Sequence, residues 1–159
     1  MFLRFPFWIG VIGLLLISCL DNQVNRVTEK AIHFKKEGTL RIEQKEKTLA
    51  EFDIEIADTP YERQTGMMYR QHMENNQGML FVFDQAQPLN FYMKNTPLAL
   101  DLIFLNEHLE IVHIHKNALP NNERSIPSIQ PAKYVLELLA GTSENIGLAL
   151  GDQVNYVKN

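Results

Sequence analysis

The chain has 159 residues, 45% apolar and 21% charged, which is the composition of a folded domain and not of a disordered segment. A formal net charge of −4 excludes the strong positive field that a nucleic-acid backbone demands, so no nucleic-acid partner is expected. One cysteine excludes a disulfide framework and a Cys-based zinc finger, and Walker A, GxGxxG, HExxH and GxSxG motifs are all missing, so no cofactor is expected.

The chain opens on a single cation, Arg4, followed by an uncharged run over residues 5–17. That run is shorter than the ~20 residues that span a bilayer and fits the core of a signal peptide. It ends in Leu16-Ile17-Ser18-Cys19, with polar Asp21-Asn22-Gln23 close behind. This resembles the bacterial lipobox, in which the cysteine is acylated and the chain is cut just before it. Stable anchoring takes two or more acyl chains, which a lipoprotein cysteine carries. Residues 1–18 are therefore expected to be a lipoprotein signal peptide, and residues 19–36 the acylated Cys19 and a flexible tether. Residues 37–159 would be the domain. The expected location is the cell envelope, anchored to a membrane by the N-terminal lipid and facing the periplasm or the outside. An ordinary secretory peptide or an uncleaved anchor is the alternative. Acylation would consume the only thiol and exclude thiol catalysis.

Within the domain, Thr39 to Glu43 and Phe52 to Ala57 alternate with period two around a polar Lys45-Glu46-Lys47 turn, which predicts a hairpin. Thr59, Pro60 and Glu62 have the spacing of a capping box, predicting a helix that runs to about Arg70 or His72. Gly66 inside that helix points to a close approach of another backbone. Met79 to Phe83, Leu100 to Leu105 and Glu110 to His115 read as strands, as does Val154 to Val157. Tyr134 to Leu139 reads as a strand or a short helix. Pro120, Pro127 and Pro131 mark residues 117–131 as an irregular surface loop. The sum is a single, mainly β, compact antiparallel sandwich or open barrel, with one short helix near residues 60–71.

Three blocks carry a family resemblance: Glu62-Arg63-Gln64-Thr65-Gly66-Met67-Met68-Tyr69-Arg70, Gly78-Met79-Leu80-Phe81-Val82-Phe83, and Phe91-Tyr92-Met93-Lys94-Asn95-Thr96-Pro97 continuing to Phe104. With Tyr134-Val135-Leu136-Glu137-Leu138 and Gly141, they make residues 48–157 resemble the domain of unknown function 192 (DUF192) family. The resemblance implies a small jelly-roll-like β domain, often exported or lipid-anchored, and implies no activity. Two departures stand out. Tyr92 takes the place of the family's usual tryptophan. His108-Leu109 stands where a glycine turn is common, so a longer or differently built turn is expected near Asn106.

Asp101 and Glu137 each interrupt an apolar run, where a carboxylate is costly unless paired. The functional expectation joins them with Lys94, Asn95, Thr96, Arg63 and Arg70 in one catalytic or binding pocket. The structural alternative is an ion-pair network, or an aspartate that ties down a turn. His113 and His115 lie two apart on a strand and share a face, a start towards a metal site that needs further ligands. Met67, Met68, Met79 and Met93 read as gap-filling core, with copper binding a weaker reading. Phe81, Phe83, Phe91, Tyr92 and Phe104 read as core.

The leading functional expectation is an envelope lipoprotein that binds a small ligand or an envelope protein as an accessory module. The alternatives are a hydrolase or carbohydrate-active enzyme using Asp101 and Glu137, and a metal-binding protein.

Overall fold

The computed structural model describes residues 32–159, so the expected signal peptide, Cys19 and most of the tether lie outside the described residues. The chain folds in the order β1 (Gly38–Gln44), β2 (Lys47–Ala57), α1 (Pro60–Thr65), β3 (Gln77–Gln87), β4 (Asn90–Phe91) and β5 (Leu100–Leu105). Then follow β6 (Ile111–Ala118), β7 (Ile126–Pro127), β8 (Ala132–Leu139), α2 (Thr142–Asn145) and β9 (Gln153–Lys158).

Local chemistry explains the first half. The β1–β2 turn places Lys45 and Glu46 at φ +48° and +66°. Two successive left-handed residues give the twist that a two-residue hairpin requires. The Thr59 hydroxyl accepts the Glu62 N–H at 3.2 Å, and the Glu62 carboxylate accepts the Thr59 N–H at 3.0 Å. The capping box is thus complete, with Pro60 behind it. The helix ends at Thr65, short of the expected Arg70 or His72. Gly66 leaves it at φ +45°, a backbone that cannot continue the helix.

Seven strands form one mixed sheet in the order β6-β5-β8-β3-β2-β1-β9. The neighbours are antiparallel except β2 and β3, which run parallel with α1 in their connection. The end strands return to each other through a Glu110–Gln153 bridge. Backbone bonds from Ile111 N–H to Asp152 O (3.0 Å) and from Val154 N–H to Leu109 O (2.9 Å) reinforce it. The mainly β domain expected from the sequence is present. It is one sheet curled into a barrel and joined along a short seam, with a parallel pair that the alternation pattern does not reveal.

The curl creates two cores. Leu40, Ile54, Leu80, Leu136, Ile103, Ile111 and Val154, one from each strand, fill the interior. On the outer face, Phe81, Leu102, Phe104 and Val135 pack under Met67, Leu89, Met93 and Ile126 from the connections. Strand β5 is therefore buried at all positions, which is why Leu100 to Leu105 lacks alternation. The segment 117–131 is less superficial than expected. Ile126 and Ser128 are buried, and Ser128 exchanges bonds with the Leu89 backbone.

The turn near Asn106 is built as the missing glycine requires. The Asn106 side-chain oxygen accepts the N–H groups of His108 (2.8 Å) and Glu110 (3.0 Å), and this holds Leu109 at φ +61°.

Candidate functional site

Alternation along β8 sends Leu136 and Leu138 into the barrel and Val135 and Glu137 outward. Glu137 has Met79 of β3 beside it on one side and Leu102 of β5 on the other. One strand further, Glu55 of β2 lies beside Met79. Two buried carboxyls thus flank one methionine in a single row across the sheet, at 6% and 5% residual exposure.

Their surroundings separate them. Glu55 pairs with Arg70 at 2.6 Å and accepts the Lys35 N–H at 2.8 Å. Burial raises its pKa, and these two partners oppose the rise. Glu137 has no such support. Its Oε2 is buried and meets no hydrogen-bond partner among the described residues. Burial pushes its pKa up to about 8, against a weaker opposing pull from Arg70. The carboxyl is therefore mostly protonated at neutral pH and can both donate and accept a hydrogen bond. Arg70 Nε is the other buried side-chain polar atom without a partner among the described residues.

Above Glu137 lies a cavity of about 240 Å³. Phe81, Phe83, Phe91 and Tyr92 line it together with Gly66, Met67 and Met68. Phe91 stands nearly perpendicular to Phe81 (centroids 5.1 Å apart, 85°) and to Phe83 (6.4 Å, 75°). The rings therefore meet as corners, not as a flat stack. Gly66 makes room for them. A Cβ there would sit 2.8 Å from the tip of the Phe81 ring, so the close approach expected at this glycine is to a side chain and not to a backbone. A larger depression of about 660 Å³ lies between β2 and α2, but neither buried, unpartnered polar atom is among its lining residues.

The other expected site residues divide around this cavity. Arg63 and Thr96 line it together with Glu137. Arg63 Nη1 donates to the Asp58 and Val82 carbonyls at 2.7 and 2.9 Å, and its guanidinium lies 5.4 Å from the Phe83 ring centre, so it fastens α1 to β3. Asn95 is at φ +53° and Tyr69 at φ +63°. The Tyr69 N–H donates to the Asn95 carbonyl at 2.7 Å, and the Asn95 amide to the Tyr69 hydroxyl at 2.7 Å, so the pair ties the segment after α1 to the turn after β4, and neither residue is in the lining. Lys94 points to Glu123 at 3.9 Å on the surface and is not part of the lining.

The structure does not bring Asp101 to Glu137. Asp101 pairs with Leu138 and shares the interior-facing parity of Ile103, opposite to Glu137. It is fully buried. Its oxygens accept the Asn117 N–H at 2.9 Å, the Ser143 N–H at 2.9 Å and the Ser143 hydroxyl at 2.7 Å. Its work is to hold the start of α2 and the end of β6. His113 and His115 do share the outer face of β6, and His113 stacks on Phe104 at 5.6 Å. Burial lowers the His113 pKa, and His115 adds to the shift. Among the described residues no group of three His, Cys, Asp or Glu could hold a metal ion.

Sequence reasoning missed Glu55 and misread the aromatics. Glu55 alternates with Ile54 and Ile56 and so reads as a solvated face. The signal against that reading is Ala57 two residues on, small enough for a covering layer. Phe81 and Phe104 are core as expected, whereas Phe83 and Phe91 are half-buried and Tyr92 is exposed at the cavity mouth.

The profile of the family described as DUF192, Uncharacterized ACR, matches residues 41–156. A solved protein from Sinorhizobium meliloti 1021, provisionally described as a transcription regulator, is 38% identical with a TM-score of 0.73, over 80% of this chain and 98% of that one. A protein of unknown function from Novosphingobium aromaticivorans DSM 12444 is 29% identical with a TM-score of 0.70, over 74% of this chain and 83% of that one. No curated protein matches the chain.

Proposed function

Starting from the DUF192 family, to which this chain belongs, we propose that it is a lipid-anchored envelope protein that binds a small molecule in the Glu137 cavity. The observation that carries the binding reading is Glu137, a residue of the cavity lining whose carboxyl has one buried oxygen without a hydrogen-bond partner among the described residues. A buried polar atom left without a partner costs about 1–3 kcal/mol. A ligand group that met it would recover that energy. A recess lined by aromatic side chains and a few polar groups is a form that small-molecule sites take, and at about 240 Å³ this one suits a small ligand. Support for the anchor is the Leu16-Ile17-Ser18-Cys19 sequence.

The two-carboxylate hydrolase reading loses its motivation, because Asp101 is fully committed to Ser143 and Asn117 on the other side of the sheet. A screen of small polar and aromatic compounds by thermal shift, run on the protein and on Glu137→Gln, tests the binding reading. Compounds that raise the melting temperature of the first and not of the second are the expected result. A screen in which no compound distinguishes the two overturns it. Incorporation of labelled palmitate at Cys19 tests the anchor, and its failure removes that part of the proposal.

A further inference from the structure

The cavity has a chemical character more specific than a small polar recess. Its floor is an acid with no cation within ion-pair distance among the described residues, and its wall is four aromatic rings. The nearest buried cation, Arg70, is already paired with Glu55 at 2.6 Å. Arg63 also lines the cavity, 5.4 Å from the Phe83 ring centre, but its guanidinium is bound to the Asp58 and Val82 carbonyl oxygens and makes no ion pair with Glu137. Resting on the small-ligand reading above, we infer that the cavity takes a small organic ammonium ion, with Glu137 as its counter-charge and Phe81, Phe83, Phe91 and Tyr92 as its cage.

Aromatic faces carry negative potential and attract a cation, more strongly where water is excluded. Phe91 lies nearly perpendicular to Phe81 and Phe83, so the three rings of the lining are turned in more than one direction. Met67 and Met68 supply an apolar, polarisable surface for the alkyl groups of such an ion.

The cation also resolves the orphaned oxygen. Its arrival favours the ionised carboxylate, so Glu137 passes its proton to the buffer as the ion binds. Among the described residues, the charged and titratable groups that face this side of the sheet include Lys35 and Glu37 ahead of β1, Glu55 from β2, Glu62 and Arg63 from α1, Arg70 from the turn behind it, Tyr92 after β4, and His113 and His115 from β6. The two histidines are the alternative source of a released proton, and a His113→Gln/His115→Gln variant separates them from Glu137.

Choline and its uncharged isostere 3,3-dimethylbutanol are the probes, titrated by calorimetry into the full chain in a maltoside detergent at pH 7 in two buffers of different ionisation enthalpy. Choline is expected to bind at least about tenfold more tightly than the isostere. Release of a proton is expected in the wild type and in the double histidine variant, with loss of choline binding in Glu137→Gln and weakening in Phe91→Leu. Equal affinity for the two probes overturns the ammonium assignment and leaves the small-ligand reading in place. Absence of choline binding at millimolar concentration, or binding that persists unchanged in both variants, also overturns it. The broader reading fails only on the compound screen described above.

Discussion

At the scale of single residues, two buried acids show how burial alone does not define a role. Asp101 and Glu137 are both almost inaccessible, yet the first is surrounded by donors and the second is not. Asp101→Asn leaves an amide N–H where the Ser143 N–H must find an acceptor. The variant is expected to lose about 2 kcal/mol of stability in denaturant titration. Its ligand binding should not change, and a selective loss of binding would return Asp101 to the site. Glu137 predicts a pH effect of definite sign. Its folded pKa of about 8 lies above the ordinary 4.5, so between these values the folded state holds a proton that the unfolded state has released. Its contribution to stability is therefore complete below about pH 4.5 and lost as pH rises through 8, at about 1 kcal/mol per pH unit. Denaturation of the protein against Glu137→Gln from pH 5 to 9 should show a slope that the variant lacks. Parallel curves would mean that the carboxyl is solvated.

At the scale of elements, the β1–β2 turn holds two residues, Lys45 and Glu46, in a conformation that suits asparagine and glycine far better. The double substitution Lys45→Asn/Glu46→Gly is expected to stabilise the domain by about 1 kcal/mol, read as a raised melting temperature. An unchanged or lowered value would argue against this turn type. The hairpin itself was legible in the alternation of Leu40, Ile42, Phe52 and Ile54, and the capping box in Thr59, Pro60 and Glu62. Both signals are local. What was not legible depends on partners far along the chain. Strands β5 and β8 are covered on both faces, so no alternation tells which way Asp101 or Glu137 points, and only the Asp101–Leu138 pairing decides it. The Arg70–Glu55 pair joins a turn to a strand that reads as solvated, and the parallel β2–β3 register that places Glu55 beside Met79 has no sequence signature. The helix ends before the expected Arg70 or His72 because its capping signal marks only a start, while its end at Gly66 lies where a Cβ would meet Phe81 of a distant strand.

At the scale of the whole molecule, the barrel is unevenly fastened. Strand β8 is bonded along its length to β3 and β5, while β6 and β9 share a single bridge and a few neighbouring bonds. Hydrogen exchange should therefore find the amides of Leu136 and Glu137 slowest and those of Ile111 and Val154 markedly faster. Equal protection would mean that the seam is as strong as the middle of the sheet. The first described residues meet this body at a particular point. The Lys35 backbone holds one oxygen of Glu55, whose other oxygen holds Arg70. Arg70 is in turn the cation that acts on Glu137. Force on the chain ahead of residue 35 would load the Lys35–Glu55 bond. Breaking it would let Glu55 shift, alter the grip on Arg70 and change the field at the cavity, so, if the chain is anchored as proposed, a taut tether and a slack one would leave the same recess with different appetites.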